Sequence, residues 1–255
     1  MVLPIGDDDS DRRSKPVVNY VLIAINVLVF VFLQGLGSNE VFTYAFSVVP
    51  EEIATGQDLA RTVVITDPTG QQSGQIELQP TPMSVYVTLL TSMFMHGSIA
   101  HLLGNMLYLW IFGDNVEDDL GPVRYLFFYI VCGLLASLAH VASTFAFGGN
   151  PYIPSLGASG AISGVLGGYM LFHPRRRVRV IMGRMLTEVP AYVAIGLWFV
   201  FQLIESLGMF GGTQEGGVAY AAHIGGFIAG LALIKIFAAG RPGSLPPNAS
   251  GNFIR

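Results

Sequence analysis

Six apolar runs constrain this chain more than any other feature: residues 17–36, 99–112, 124–147, 159–172, 191–207 and 218–239, each bounded by charge clusters, glycine or proline. About 20 apolar residues in a helix cross the hydrocarbon core of a bilayer. Only helices and closed barrels satisfy their backbone in lipid, so the expected fold is an all-α membrane protein, a bundle of six helices. Composition agrees, because 52% of the 255 residues are hydrophobic and 12% are charged, whereas a soluble domain carries about 25% charge. With 13 Lys and Arg against 17 Asp and Glu, no broad basic surface is available for nucleic acid. The single cysteine, Cys132, cannot close an intramolecular disulfide or hold a thiolate metal site by itself.

The first run is too long for a signal-peptide core and lacks a small-residue cleavage site, so it is expected to stay as an anchor. The second and fourth runs are short or glycine-rich, and charge decides the count. With the N-terminus inside, the inner segments hold Arg12, Arg13 and Lys15, then Arg124, then Arg175, Arg176, Arg177, Arg179 and Arg184, then Lys235, Arg241 and Arg255. Arg61 alone is left outside, as the positive-inside rule requires. Dropping one central run would move the arginines of 175–184 outside. The expected organisation is an inner tail at 1–16 without order, a membrane domain at 17–239 and an inner tail at 240–255. The outer segment 37–88 is longer than a connection needs to be. Alternation at 62–66 and 75–78, around Asp67-Pro68-Thr69-Gly70, reads as a small hairpin or interfacial lid, the alternative being a disordered insertion.

Polar groups inside apolar spans are costly and mark function. With this orientation His96, His101 and Asn105 on the second run, Ser159 on the fourth and His223 on the sixth all fall near the outer ends of their helices. Asn105 is one turn below His101 on the same face. His140 reads as a packing or interhelical hydrogen-bonding residue, and His173 as an interfacial one. Gly160, Gly164 and Gly168 form one stripe, Gly226 and Gly230 another with His223 on the same face. Helices in lipid approach closely where side chains are small, so the two stripes would bring Ser159 to His223, a nucleophile beside a base. Taken singly, each residue has a plainer reading: a back-bonded serine among glycines, or a histidine or asparagine bridging two helices. Three residue types from three helices at one depth favour a site.

The segments His96-Gly-Ser-Ile-Ala-His101-Leu-Leu-Gly-Asn105, Gly157-Ala-Ser159-Gly160 and Ala222-His223-Ile-Gly225-Gly226 resemble, in order and spacing, the rhomboid family of intramembrane serine proteases, in its bacterial and archaeal form. The resemblance covers about residues 84–235. It implies that Ser159 attacks a peptide carbonyl while His223 takes its proton and returns it to the leaving amine. It assigns His101 and Asn105, with the Ser159 amide, to the oxyanion hole, with His96 and Gly157 as support. No buried aspartate completes a triad. In many family members an aromatic residue four positions after the serine stacks on the histidine; here that position is Ser163, which leaves open how His223 is held. Glu205 is a weaker alternative, read as an interfacial carboxylate. The comparison makes Glu117 structural, and it and Asp114, Asp118 and Asp119 could accept bonds from Arg124 or the inner arginines. No cofactor or metal is implied.

Substrates would be transmembrane proteins cut near the outer end of a locally unwound helix, reaching the site past the fifth run and the glycine-rich 208–217 loop. The implied location is a prokaryotic cytoplasmic membrane, multi-pass, both termini inside. A catalytically silent relative that binds transmembrane clients would be expected to lack the serine or the histidine, and both are present. A metal site of His96, His101 and His223 fits poorly, since residues five apart point about 140° apart on a helix. A transporter would place its polar groups at the midplane within an inverted repeat, and neither is apparent.

Overall fold

The computed structural model describes residues 2–8, 10–66, 72–206 and 220–240, and its described part is mostly helical. Long helices occupy the apolar runs: α1 (Val17–Leu28, continued by a π-helical turn at Val29–Leu33), α2 (Ile99–Leu120), α3 (Pro122–Ala146), α4 (Ser159–Phe172), α5 (Ala191–Ser206) and α6 (Tyr220–Ala238). By length and composition α3 and α6 can each cross a membrane. A third crossing results if α2 is taken with the helical run Val85–Phe94, bent 78° from it. Local chemistry sets the boundaries. Ser98 caps α2 by accepting the His101 N–H at 3.1 Å, and Gly121, at φ +78°, ends it so that Pro122 can open α3.

Strands are added to this helical frame. In the outer segment β2 (Thr62–Thr66) pairs antiparallel with β3 (Gln72–Glu77), which is the expected hairpin; its turn at 67–70 lies outside the described residues. Val63 of the hairpin buries with Val49 and Leu78 in a small core packed by Ile76, Leu59 and Tyr152, while Ile53 of the short helix Pro50–Thr55 packs separately with Val48 and with Val141 of α3. Arg61, the one basic residue assigned to this side, lies 3.7 Å over the Tyr152 ring.

The expectation of a disordered N-terminal tail is overturned. β1 (Val2–Asp7) pairs antiparallel with β4 (Arg177–Met182), which pairs with β5 (Met185–Pro190), in a three-stranded sheet ordered β1-β4-β5. Val178 and Val180 alternate inward to the main core, and a two-residue turn through Gly183, at φ +64°, joins β4 to β5. The charges that suggest a solvated tail are instead paired with α2 and with the arginine run. Arg12 meets Asp114 at 2.6 Å, Arg13 meets Asp118 at 3.0 Å, and Arg176 meets Asp11 at 2.7 Å. Asp7 accepts from the Tyr169 hydroxyl at 2.5 Å and from Asn115 at 2.9 Å.

Glu117 is structural, by a route other than an ion pair. Its carboxylate accepts the backbone N–H groups of Val18 and Asn19 at 3.0 and 2.7 Å, capping α1 where its first N–H groups have no helical partner. Asn19 donates to the Leu109 carbonyl and accepts from the Tyr125 hydroxyl, which ties α1, α2 and α3 together. Arg124 does not reach these carboxylates; it donates to the Phe237 and Ala239 carbonyls at the end of α6. His173 pairs with Asp119 at 2.7 Å.

The glycine stripes do bring α4 and α6 together, with a change of detail. A Cβ on Gly226 would fall on the Gly160 carbonyl oxygen, and one on Gly230 on that of Gly164. The α6 stripe thus lies against the α4 backbone. Gly160 and Gly164 themselves make room for Ala136 and Cys132 of α3, while Gly167 faces the Phe227 carbonyl. α4 is consequently buried on nearly every side, and its first residue is fixed relative to α6.

Candidate active site

Ser159 is the first residue of α4, and no side chain caps that helix, so its leading N–H groups are donors without helical partners. The preceding loop is held by the Gly157 N–H, which donates to the Ser92 carbonyl at 2.9 Å. Gly157 has φ +127°, and a Cβ there would stand 2.9 Å from Cε1 and 3.0 Å from Nε2 of His101. Both the conformation and the space therefore require glycine. Ser159 Oγ lies 2.7 Å from His223 Nε2, the distance of a hydroxyl donating to an imidazole nitrogen. Both residues are half-buried and line a cavity of about 480 Å³ with His101, Gly157, Ser137 and Met93.

His101 stands beside the serine, its Nδ1 held by the Gly97 N–H at 3.5 Å and its ring edge-on to His96 with centroids 5.2 Å apart. Asn105 is buried, and its amide Nδ2 lies 3.0 Å from His96 Nε2. His101 faces the cavity, whereas Asn105 is engaged with His96, which is fully buried. Gln34, at the end of α1, holds His96 in turn: its Oε1 accepts the His96 N–H at 2.9 Å, and its Nε2 donates to the His96 carbonyl at 3.0 Å and to Thr43 at 2.9 Å. In the sequence Gln34 is no more than a polar interruption of the first run.

The other face of His223 supplies the partner that the sequence left open. Its Nδ1 lies 2.7 Å from Gln202 Oε1 on α5. Ser163 takes no part, because its hydroxyl donates back to the Ser159 carbonyl at 2.6 Å. Aromatic rings reach the histidine from elsewhere, Trp198 at 6.1 Å and Tyr220 edge-on at 6.3 Å between centroids. The signal available was a buried amide in an apolar helix, one turn beyond Trp198. The Glu205 side chain and the 208–217 loop lie outside what is described. Among the described residues, no group of three His, Cys, Asp or Glu is arranged to hold a metal ion.

A family model described as the Rhomboid domain matches residues 84–240, which takes in all of these groups except Gln34 and Thr43. The chain is 31% identical over 224 residues to the "Rhomboid protease GluP" of Bacillus subtilis, covering 87% of this chain and 36% of that protein. It is 31% identical over 143 residues to the human "Presenilin-associated rhomboid-like protein, mitochondrial", covering 56% and 36%. With the "Rhomboid protein 1, mitochondrial" of Saccharomyces cerevisiae it shares 31% over 159 residues, covering 60% and 42%. The matches thus span a little over a third of these relatives' own length, and the relatives come from mitochondria as well as from a bacterium. On the family match and on the identity across most of its length, the chain belongs to the rhomboid family.

Proposed function

We propose that this protein is an intramembrane serine endopeptidase that cleaves transmembrane segments of other membrane proteins through Ser159 and His223. The observation that carries the reading is the 2.7 Å approach of Ser159 Oγ to His223 Nε2 at the wall of a cavity. The hydroxyl attacks the peptide carbonyl as its proton passes to Nε2, the carbonyl oxygen takes the negative charge, and collapse expels the amine with that proton. Water, activated by the same nitrogen, then releases the acyl group. The Ser159 amide and the His101 ring are the donors assigned to the oxyanion. Asn105 takes that role through its second amide proton, or acts by holding His96 in place.

In this reading all six long helices cross the bilayer, both termini are cytoplasmic, and the serine lies toward the outer surface. Charge supports that orientation, since Arg12, Arg13 and Arg176 gather at the end of α2 opposite to His101. A helical substrate shields its peptide bonds by its own hydrogen bonds, so the preferred cleavage site is a segment that unwinds easily. Cleavage of a fluorogenic transmembrane substrate by the reconstituted protein tests the proposal: activity lost in both Ser159→Ala and His223→Ala is expected. Equal activity in the variants would overturn it. Binding of transmembrane clients without cleavage by the wild type would make the protein a silent member of the family.

A further inference from the structure

Resting on the hydrolase reading, we propose that Gln202 is the positioning residue that sets the tautomer and aim of His223, so that the base is competent only while α5 is seated against α6. A serine hydroxyl that is to be deprotonated donates to Nε2, which leaves the proton of the neutral ring on Nδ1. The Gln202 oxygen, 2.7 Å away, accepts that proton and fixes the ring plane. Both ring nitrogens of His223 are then engaged, one by α4 and one by α5. Gln202 is itself 7% exposed, in a site where an amide without a partner would be costly, so the bond holds both groups.

The neutral amide takes the orienting place that a carboxylate fills in a triad, without adding a charge to an apolar surrounding. Its seat on α5 gives the contact a second meaning. α5 exposes Tyr192, Leu197, Val200, Phe201 and Leu203 on its outer side. It is held inward through Trp198 beside Tyr108 of α2 and through Phe199 stacked on Phe227 of α6, centroids 4.4 Å apart. Trp198 and Gln202 are one turn apart and lie on the same face. A displacement of α5 away from α6 that makes room for a substrate helix therefore also withdraws the acceptor from Nδ1, and chemistry waits until α5 returns.

The test is the steady-state cleavage of a transmembrane substrate by the full chain in proteoliposomes, for variants that melt within a few degrees of the wild type. Gln202→Leu, which keeps the bulk and removes the acceptor, is expected to lower kcat by about 10- to 100-fold with KM within about threefold. Gln202→Glu, which returns an oxygen at the same reach, recovers most of the loss. Phe199→Ala, which loosens α5, lowers kcat in the wild-type background and has little further effect in the Gln202→Leu background, because both act through one contact. An unchanged kcat in Gln202→Leu, a rise in KM alone, or losses that multiply in the double variant would each overturn the inference while leaving the hydrolase reading intact. A wild type that cleaves no substrate overturns both.

Discussion

At Gly157 a side chain is excluded twice, by φ +127° and by the His101 ring. Gly157→Ala is therefore expected to lower cleavage by more than about tenfold and the melting temperature by several degrees, the cost of such a backbone conformation being about 1–3 kcal/mol. His101→Ala removes one candidate oxyanion donor, and a loss of about 3 kcal/mol in transition-state stabilisation, roughly a hundredfold in kcat, is expected with the protein still folded. Titrating kcat for both variants in proteoliposomes checks this. At this scale the sequence was informative where a residue type carries its own chemistry. Ser159 and His223 stand out together, because a hydroxyl and an imidazole on two glycine-striped helices fall at one depth. Gln202 and Gln34 were not legible in the same way. An amide has no reactivity to mark it, and its role depends on which atom of another helix it meets, which the packing of α5 on α6 and of α1 on α2 determines.

The elements are held by their ends as much as by their faces. Glu117 holds two N–H groups of α1, so Glu117→Ala is expected to cost about 2 kcal/mol in stability, read as a lower melting temperature in detergent. In the outer segment Glu52 is buried within the short helix Pro50–Thr55 and accepts the Leu59 N–H at 3.0 Å. Burial pushes its carboxyl up to about 7, Asp58 adds to the rise, and the Leu59 bond opposes it. The folded state thus keeps a proton that the unfolded chain gives up above about 4.5. Its contribution to stability is present at low pH and is lost as pH rises toward 7. Melting curves between pH 4.5 and 7.5 are expected to slope down with pH in the wild type, and Glu52→Gln to flatten that slope. The β2–β3 hairpin was visible as alternation, whereas the sheet of β1, β4 and β5 was not. Arg177-Val178-Arg179-Val180 does alternate, but the pairing with residues 2–7 spans most of the chain, and the charges around it suggested solvent.

Across the whole molecule, the two ends have separate work. One carries Ser159, His223 and His101 around the cavity. The other carries the carboxylates of α2, met by Arg12, Arg13, Ser14 and His173. Removing residues 2–7 should lower the melting temperature by several degrees and leave kcat within about threefold, since no group of the site touches β1; a collapse of kcat would join the two ends functionally. In the proposed reaction His223 makes Ser159 a nucleophile. The most direct measurement is covalent labelling of the reconstituted protein by a small fluorophosphonate, with the adduct located by peptide mass mapping. One adduct is expected, on Ser159, and its formation falls by about a hundredfold or more in His223→Ala. Labelling that maps elsewhere, or that proceeds equally without His223, would contradict it.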